Sequence, residues 1–154
     1  PSNTDIDDVL IKVSALNDFY STNIYYPFQV AKHIIELNID YRLQTGDTSV
    51  VNDIAQVTIG NGKEKNYYSF ATKYCSRHNP NEFPIYDSYV DRLLRYFRKT
   101  DNFAHFSNDE LRQYEIYKKV LIQFRSFYCL EAYNLKEIDK YLWQLGKEKF
   151  PNKY

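Results

Sequence analysis

Apolar side chains recur at three- and four-residue steps along most of the chain, which is the spacing of amphipathic helices. No segment shows the strict alternation that predicts a strand. The predicted helices, in chain order, cover about residues 6–20, 27–46, 49–55, 67–75, 87–97, 107–132 and 134–146. The pattern therefore predicts an all-α fold, a single compact domain of about seven helices over residues 1–154.

Most of the predicted helix starts carry a side chain that can accept hydrogen bonds from the first backbone N–H groups of the helix. Pro27 suits the first position of the second helix, and Gly46 and Gly146 are expected to end the second and the last helix. The proposed caps are Asn3 or Thr4, Ser49, Asp87 or Ser88, the capping box Ser107–Glu110, and Asn134.

Aromatic side chains dominate the composition, with 16 Tyr and 10 Phe among 154 residues and only 4 Gly. Ring-lined helix interfaces are expected, and no glycine-rich phosphate loop is present. Cys75 and Cys129 lie far apart, which favours reduced, buried thiols and leaves a disulfide open. His33, His78 and His105 lack the spacing of metal ligands, so neither a metal site nor a cofactor is expected.

The chain shows no sign of a membrane or export segment. No apolar run is long enough to cross a membrane, and the first residues lack the pattern of a signal peptide. We therefore expect a cytoplasmic protein with no membrane partner. Because no initiator Met is present, the chain is compatible with a piece of a longer protein.

Charge is balanced in total but uneven along the chain. The net charge is zero, which argues against strong nonspecific binding to nucleic acid. Residues 1–59 hold 3 Lys/Arg against 8 Asp/Glu, and residues 60–100 hold 8 against 4. The central segment therefore carries the basic excess.

The segment from Gly60 to Phe97 carries the features most indicative of function. A turn with two glycines leads into a helix rich in Tyr, Phe and Ala, and a proline-containing link then places an aspartate at a helix start. The three pieces are Ile59-Gly60-Asn61-Gly62-Lys63, Tyr68-Ser69-Phe70-Ala71-Thr72-Lys73-Tyr74-Cys75 and Phe83-Pro84-Ile85-Tyr86-Asp87-Ser88-Tyr89-Val90. This order resembles the helix-hairpin-helix DNA glycosylases, in which a Gly-x-Gly hairpin precedes an Ala-containing helix and a Pro-Val-Asp-type link.

The likeness is closest to a group of small bacterial proteins of the 8-oxoguanine DNA glycosylase fold. It covers roughly residues 54–98, a helix-hairpin-helix-like element, together with the tail 142–147. The resemblance implies that Asp87 stabilises cationic character at the nucleoside C1′ atom, or activates water, while the target base is flipped into a pocket. It also implies that the protein is a hydrolase that acts in DNA repair and binds DNA.

In the lyase-competent branch of these glycosylases, a lysine at the head of the second hairpin helix attacks C1′ and forms a Schiff base. With Asp87 placed on the family's aspartate, that position falls near Tyr68 or Ser69, where this chain has no lysine. The candidate nucleophiles are then Lys63 and Lys65 upstream of the position and Lys73 downstream of it, and of these Lys65 and Lys73 are taken as the possible catalytic lysines.

Groups of the same segment are candidates for contacts with DNA. The glycine turn can offer backbone N–H groups to a phosphate, positive side chains can pair with phosphates, and rings beside the aspartate can stack on a flipped base. The candidates are Gly60, Asn61, Gly62 and Lys63 in the turn, Arg77, His78, Arg92, Arg95 and Arg98 in a phosphate-facing patch, and Tyr86 and Tyr89 as stacking rings. Each also has an ordinary structural interpretation, namely a loop, a solvated helix face, a core ring or, for Asp87, an N-cap.

The sequence supports two main hypotheses about function. The first is a DNA glycosylase-like protein that acts on or binds damaged or modified DNA through Asp87. The alternative is a noncatalytic module that binds DNA or a partner protein, for example in phage defence or a stress response, and the zero net charge and the displaced lysine favour it. A helical toxin or immunity protein would leave the order from Gly60 to Val90 unexplained. The sequence specifies neither the substrate base nor the oligomeric state.

Overall fold

Eight α-helices, one short 3-10 helix and one two-stranded sheet make up the regular structure in the computed structural model, which describes residues 2–151. The all-α prediction is confirmed, because the sheet contributes only two strands of 3 residues each. The chain forms two compact units, one ending at Asn79 and the other beginning at Pro80. A single domain over residues 1–154 stays a prediction.

The first unit consists of five helices and the small sheet. Its elements are α1 (Ile6–Tyr20), α2 (Pro27–Glu36), α3 (Asp40–Thr45), α4 (Ser49–Ala55), β1 (Gln56–Thr58), β2 (Glu64–Asn66) and α5 (Tyr68–His78). Helix α1 packs on α2 and α5, and α4 also packs on α5. Branched side chains such as Val13, Ile34 and Ile54 fill the core together with the rings of Phe70 and Tyr74.

The predicted second helix is divided into α2 and α3. Asn38 between them adopts a left-handed conformation with φ 50°. Asparagine takes this conformation at a lower cost than most residues, so it can interrupt a helix without glycine. The apolar stripe continues across the break, because Ile34, Ile39 and Leu43 are all buried, and the periodicity alone therefore predicted one helix.

Two helix starts differ from the predicted caps. Asp5 rather than Asn3 caps α1, since its carboxylate accepts hydrogen bonds from two N–H groups of the first turn. Asn3 is instead buried, and its backbone N–H lies 3.0 and 3.1 Å from the two carboxylate oxygens of Asp40. At α4 the Asp47 carboxylate accepts from the Ser49 N–H at 3.0 Å, so Ser49 begins the helix and does not cap it.

The glycine turn joins two antiparallel strands, so the prediction of a chain without strands is wrong at this point. β1 pairs with β2 with Val57 opposite Lys65. The Gly62 N–H donates to Ile59 O at 2.9 Å, and Gly62 has φ 71°, which is the left-handed glycine that closes a short hairpin loop. All three β2 side chains are exposed, so the sequence carries no alternation there.

The second unit consists of three α-helices and the 3-10 helix. Its elements are α6 (Ser88–Asp101), the 3-10 helix (Asp109–Arg112), α7 (Tyr114–Phe127) and α8 (Leu135–Lys149). Ser107 and Glu110 exchange the hydrogen bonds of the predicted capping box, but the box opens the 3-10 helix and α7 starts after it. Asn134 caps α8, as predicted, and Glu137 completes a capping box with it.

Gly146 lies inside α8 and does not end it. A Cβ atom at Gly146 would lie 2.7 Å from the Cβ atom of Tyr89 and 3.3 Å from the Tyr89 backbone. The missing side chain therefore allows α8 to approach α6 closely. A glycine in this role has the same appearance in the sequence as a glycine that ends a helix.

The predictions from composition are met in part. Rings are prominent in the second unit, where Phe97, Phe124 and Tyr128 are in mutual contact. Both cysteines are free thiols, and Cys75 is buried, but Cys129 is exposed, so its predicted burial is wrong. Among residues 2–151, no helix has both the length and the apolar character to cross a membrane.

Candidate functional site

Asp87 occupies the N-cap position of α6, as predicted. One oxygen of its carboxylate accepts hydrogen bonds from the backbone N–H groups of Tyr89 and Val90, both at 2.9 Å. The side chain is half-buried. The cap thus holds the carboxylate in one orientation at the positive end of the helix macrodipole, a favourable place for a negative charge.

The link before this cap is held by side chains from α7 and α8. Tyr114 donates its O–H to Pro84 O at 2.6 Å, and Tyr117 donates its O–H to Ile85 O at 2.5 Å. The Ile85 N–H donates in turn to Asp139 Oδ2 at 2.7 Å. Three side chains thus satisfy the backbone of an irregular segment and fix the place where α6 begins.

Asp139 is a second carboxylate in this region, and it was not predicted. It is 4% exposed, and Lys136 Nζ lies 3.6 Å from its Oδ2 atom. Burial raises the pKa of Asp139 to about 6; its backbone hydrogen bond and Lys136 oppose the rise, and the charge of Asp87 adds to it. In the sequence, Asp139 lies between the apolar residues Ile138 and Leu142 on the predicted buried face of the helix, and this placement could have identified it as a buried acid. In residues 2–151, no group of three His, Cys, Asp or Glu side chains could hold a metal ion.

Replacing Asp139 by Asn should change how stability depends on pH. The folded pKa of about 6 exceeds the ordinary value of 3.8, so the stabilisation from Asp139 is present below pH 4 and is lost as the pH rises to about 6. Asn cannot ionise and can still accept the Ile85 N–H. As the pH rises from about 4 to about 6, the unfolding free energy of the Asp139→Asn variant should increase relative to that of the wild type, by on the order of 1–3 kcal/mol in all. Urea unfolding of both proteins would measure this, and a pH-independent difference would contradict it.

The two candidate stacking rings have different surroundings. Tyr86 is 8% exposed, its O–H donates to Asp91 Oδ2 at 2.6 Å, and its ring packs edge-on against Tyr117. This is a core ring, because it is enclosed by its neighbours, and its burial does not support stacking on a base. Tyr89 is half-buried in the first turn of α6, two residues after Asp87, and its stacking role stays a prediction.

The two candidate nucleophiles also differ, and both belong to the first unit. Lys73 on α5 is 7% exposed, its Nζ donates to Ser69 Oγ at 2.5 Å, and the amine lies 5.1 Å from the centre of the Tyr20 ring. Lys65 on β2 is exposed. A desolvated amine in a defined position suits nucleophilic attack better than a solvated one, so the surroundings favour Lys73.

The glycine turn does not open directly into α5. Residues 63–67, which include β2, separate the turn from the first residue of the helix. The Gly62 N–H is used inside the turn, and Gly60, Asn61 and Lys63 are exposed around it. The turn is therefore the tip of a β-hairpin and does not lie at the first residue of α5. A contact between the hairpin tip and DNA stays a prediction.

The predicted phosphate-facing patch divides between the two units. Arg77 is exposed on α5, but His78 beside it is half-buried with Nδ1 2.9 Å from Tyr74 O and its ring stacked on Tyr74. Burial lowers the pKa of His78, so the imidazole is neutral at pH 7 and offers no positive charge to a phosphate. Arg92, Arg95 and Arg98 all line one groove in the second unit.

Comparisons with known proteins point to a family of N-terminal domains. The family HI_0787_N, described as an N-terminal domain, matches residues 1–82, so the match ends close to the boundary of the first unit at Asn79. A Haemophilus influenzae protein titled "Uncharacterized protein" is 52% identical over 149 residues, which is 96% of this chain and 71% of that relative. No solved structure is significantly similar to the chain.

Proposed function

We propose that this chain, which belongs to the HI_0787_N family of N-terminal domains, is a DNA glycosylase-like protein acting on damaged or modified DNA through Asp87. The observation that carries the proposal is the fixed position of the Asp87 carboxylate. It caps α6, and the backbone of the preceding Pro84-Ile85 link is held by three hydrogen bonds to side chains. The resemblance of the link and cap to the glycosylase element supplies the reaction class.

A carboxylate fixed in this way suits cleavage of the bond between C1′ and the base. When that bond breaks, the base leaves with the electron pair and C1′ becomes cationic. A negative charge held beside C1′ stabilises the cation, and water then adds to C1′ and gives up a proton. Because cap and link already hold Asp87 in place, little reorganisation is needed as the positive charge develops.

Lys73 is the candidate nucleophile of a lyase reaction, and this part of the proposal rests only on its surroundings within the first unit. After the ammonium group gives up a proton to solvent, the amine forms a bond to C1′ while the base leaves with the electron pair of the glycosidic bond. Loss of a proton from the nitrogen and opening of the sugar ring then give a Schiff base. Borohydride reduces the C=N bond of this intermediate, which links the protein permanently to the DNA.

Borohydride trapping should therefore depend on Lys73. The chain is incubated with 8-oxoguanine and abasic duplexes in the presence of borohydride, and the adduct is separated on a denaturing gel. We expect an adduct for the wild type and for Lys65→Gln, and none for Lys73→Gln, because Lys73 is buried whereas Lys65 is exposed. Lys73→Arg serves as a second variant that keeps the positive charge without the nucleophile.

The outcomes separate the two chemical routes. Base excision without an adduct would assign the reaction to water and Asp87 and remove Lys73 from the mechanism. Wild-type protein that neither excises nor forms an adduct on either duplex would contradict the proposed function. Far-UV circular dichroism of each variant identifies a loss that is due to unfolding.

A noncatalytic DNA-binding module is the second candidate, and the basic groove in the second unit favours it. Arg92, Arg95, Arg98 and Lys99 line that groove, and the chemistry proposed for Asp87 requires none of them. DNA affinity in a chain that lacks both excision and trapping would support this function. The absence of any DNA binding would instead favour a protein partner.

A further inference from the structure

The groove of the second unit combines positive charge with aromatic rings. It has a volume of about 620 Å³, and its lining includes Arg92, Arg95, Arg98, Lys99, Tyr96 and Phe150. Residues 92–99 contain four cationic side chains and no acidic one. We name this feature the α6 groove.

Two of the arginines are held in defined positions. Arg98 donates to Phe106 O at 2.6 Å and to Asn108 Oδ1 at 2.8 Å, and neither of these oxygens carries a negative charge. Arg95 forms an ion pair with Asp91 at 2.7 Å, which offsets its charge. The groove therefore keeps a surplus of positive charge.

Support of the helix dipole accounts for only part of this charge. Cations in the last turn of a helix stabilise its C-terminus, and Arg98 and Lys99 lie in that turn of α6. Arg92 lies nearer the start of the helix, where this effect has faded and would not favour a cation. A ligand with several negative charges would account for Arg92 as well as for Arg98 and Lys99.

The rings of the groove are paired with cations. The Arg92 guanidinium carbon lies 4.0 Å from the centre of the Phe150 ring, and Lys149 Nζ lies 4.1 Å from the centre of the Tyr96 ring. Tyr96 is 41% exposed. Exposure of a single ring is common at protein surfaces, so the significance of Tyr96 comes from its position among the cations. Cations next to one exposed ring, Tyr96, and one half-buried ring, Phe150, match a strand whose bases are unstacked, because phosphates can meet the cations and a base can stack on the exposed ring.

We infer that the α6 groove binds a stretch of single-stranded nucleic acid, with Arg92 and Lys99 on phosphates and Tyr96 against a base. The residues from Asp87 to Arg98 span about 16 Å along the axis of α6, so the groove residues and the Asp87 cap belong to one helix. A strand in the groove would thus run along the same helix that Asp87 caps. The inference deepens the proposed function by adding a single-strand contact on the helix that Asp87 caps, and it rests on that function for DNA as the physiological ligand.

Fluorescence anisotropy of the complete chain with a labelled 12-nucleotide single strand and the matching duplex tests the inference. We expect tighter binding to the single strand than to the duplex. The affinity should fall about tenfold or more as the salt concentration rises from 50 to 200 mM. Arg92→Gln/Lys99→Gln should weaken binding at least about tenfold and reduce the salt slope by about 1.4, the value for two phosphate contacts on a single strand. Tyr96→Ala should weaken binding by about tenfold, because a stacking ring is lost.

Lys119→Gln/Lys140→Gln is the matched control, because it removes the same charge from exposed positions on α7 and α8. Its binding should equal that of the wild type. An equal loss in the control, a preference for duplex, or unchanged binding in both groove variants would overturn the inference. Base release from the 8-oxoguanine duplex is measured on the same groove variants, so failure of the groove and failure of the excision chemistry give different results.

Discussion

The Asp87→Asn variant is expected to lose base excision by about a hundred- to ten-thousand-fold while its stability stays close to that of the wild type. The amide oxygen of Asn can accept the two backbone hydrogen bonds that Asp87 now accepts from Tyr89 and Val90, and Asn is among the preferred N-cap residues. Only the negative charge beside C1′ is removed. Single-turnover release of the base from an 8-oxoguanine duplex, compared with urea unfolding, measures both effects.

Asp87→Ala is the informative companion to this variant. It removes the charge and the cap together, so it should lose excision to the same degree and also about 1 kcal/mol of unfolding free energy. The pair of variants separates the chemical role of the side chain from its structural role. Excision that survives in Asp87→Asn would show that Asp87 is a helix cap and nothing more.

Gly146→Leu is expected to destabilise the second unit by about 3 kcal/mol or more, against the direction that helix propensity predicts. Leucine is a better helix former than glycine by about 1 kcal/mol, so propensity alone favours the variant. A Cβ atom at this position, however, would lie 2.7 Å from the Cβ atom of Tyr89 and 3.3 Å from its backbone, and neither can move without shifting α6. The overlap is therefore the larger effect.

Urea unfolding would measure this change, with Gln144→Leu as the control. Gln144 is exposed on the same helix, so the control adds the same side chain without overlap and should lie within about 0.5 kcal/mol of the wild type. Equal stability of the two variants would show that α6 and α8 can separate at Gly146 at no cost.

The helix boundaries could be predicted where neighbouring residues determine them, and they could not where contacts between distant residues determine them. Asn134 and the start of α8 follow from a capping box within four residues, and Asp87 was found by the same kind of local signal. Gly146 is different, because only its contact with Tyr89 shows that α8 continues. The strands β1 and β2 are too short and too exposed to produce a pattern.

The candidate site shows the same division. The proline link and the aspartate are neighbours in the sequence, and a motif exposes them. Asp139 lies 54 residues after Ile85, whose N–H it accepts, and no local pattern connects the two. Tyr86 was expected to face a ligand because it precedes Asp87, but its contact with Tyr117 places it in the core.

The hydrogen bonds that hold the Pro84-Ile85 link affect which residues must be retained for the site to persist during evolution. Tyr114, Tyr117 and Asp139 all bind main-chain atoms of Pro84 and Ile85, so they do not depend on the side chains there. Substitution of the half-buried Ile85 can therefore leave these hydrogen bonds, and the place of the aspartate, intact. The evolutionary constraint falls instead on two tyrosines and one acid, 30 to 54 residues downstream of their partners.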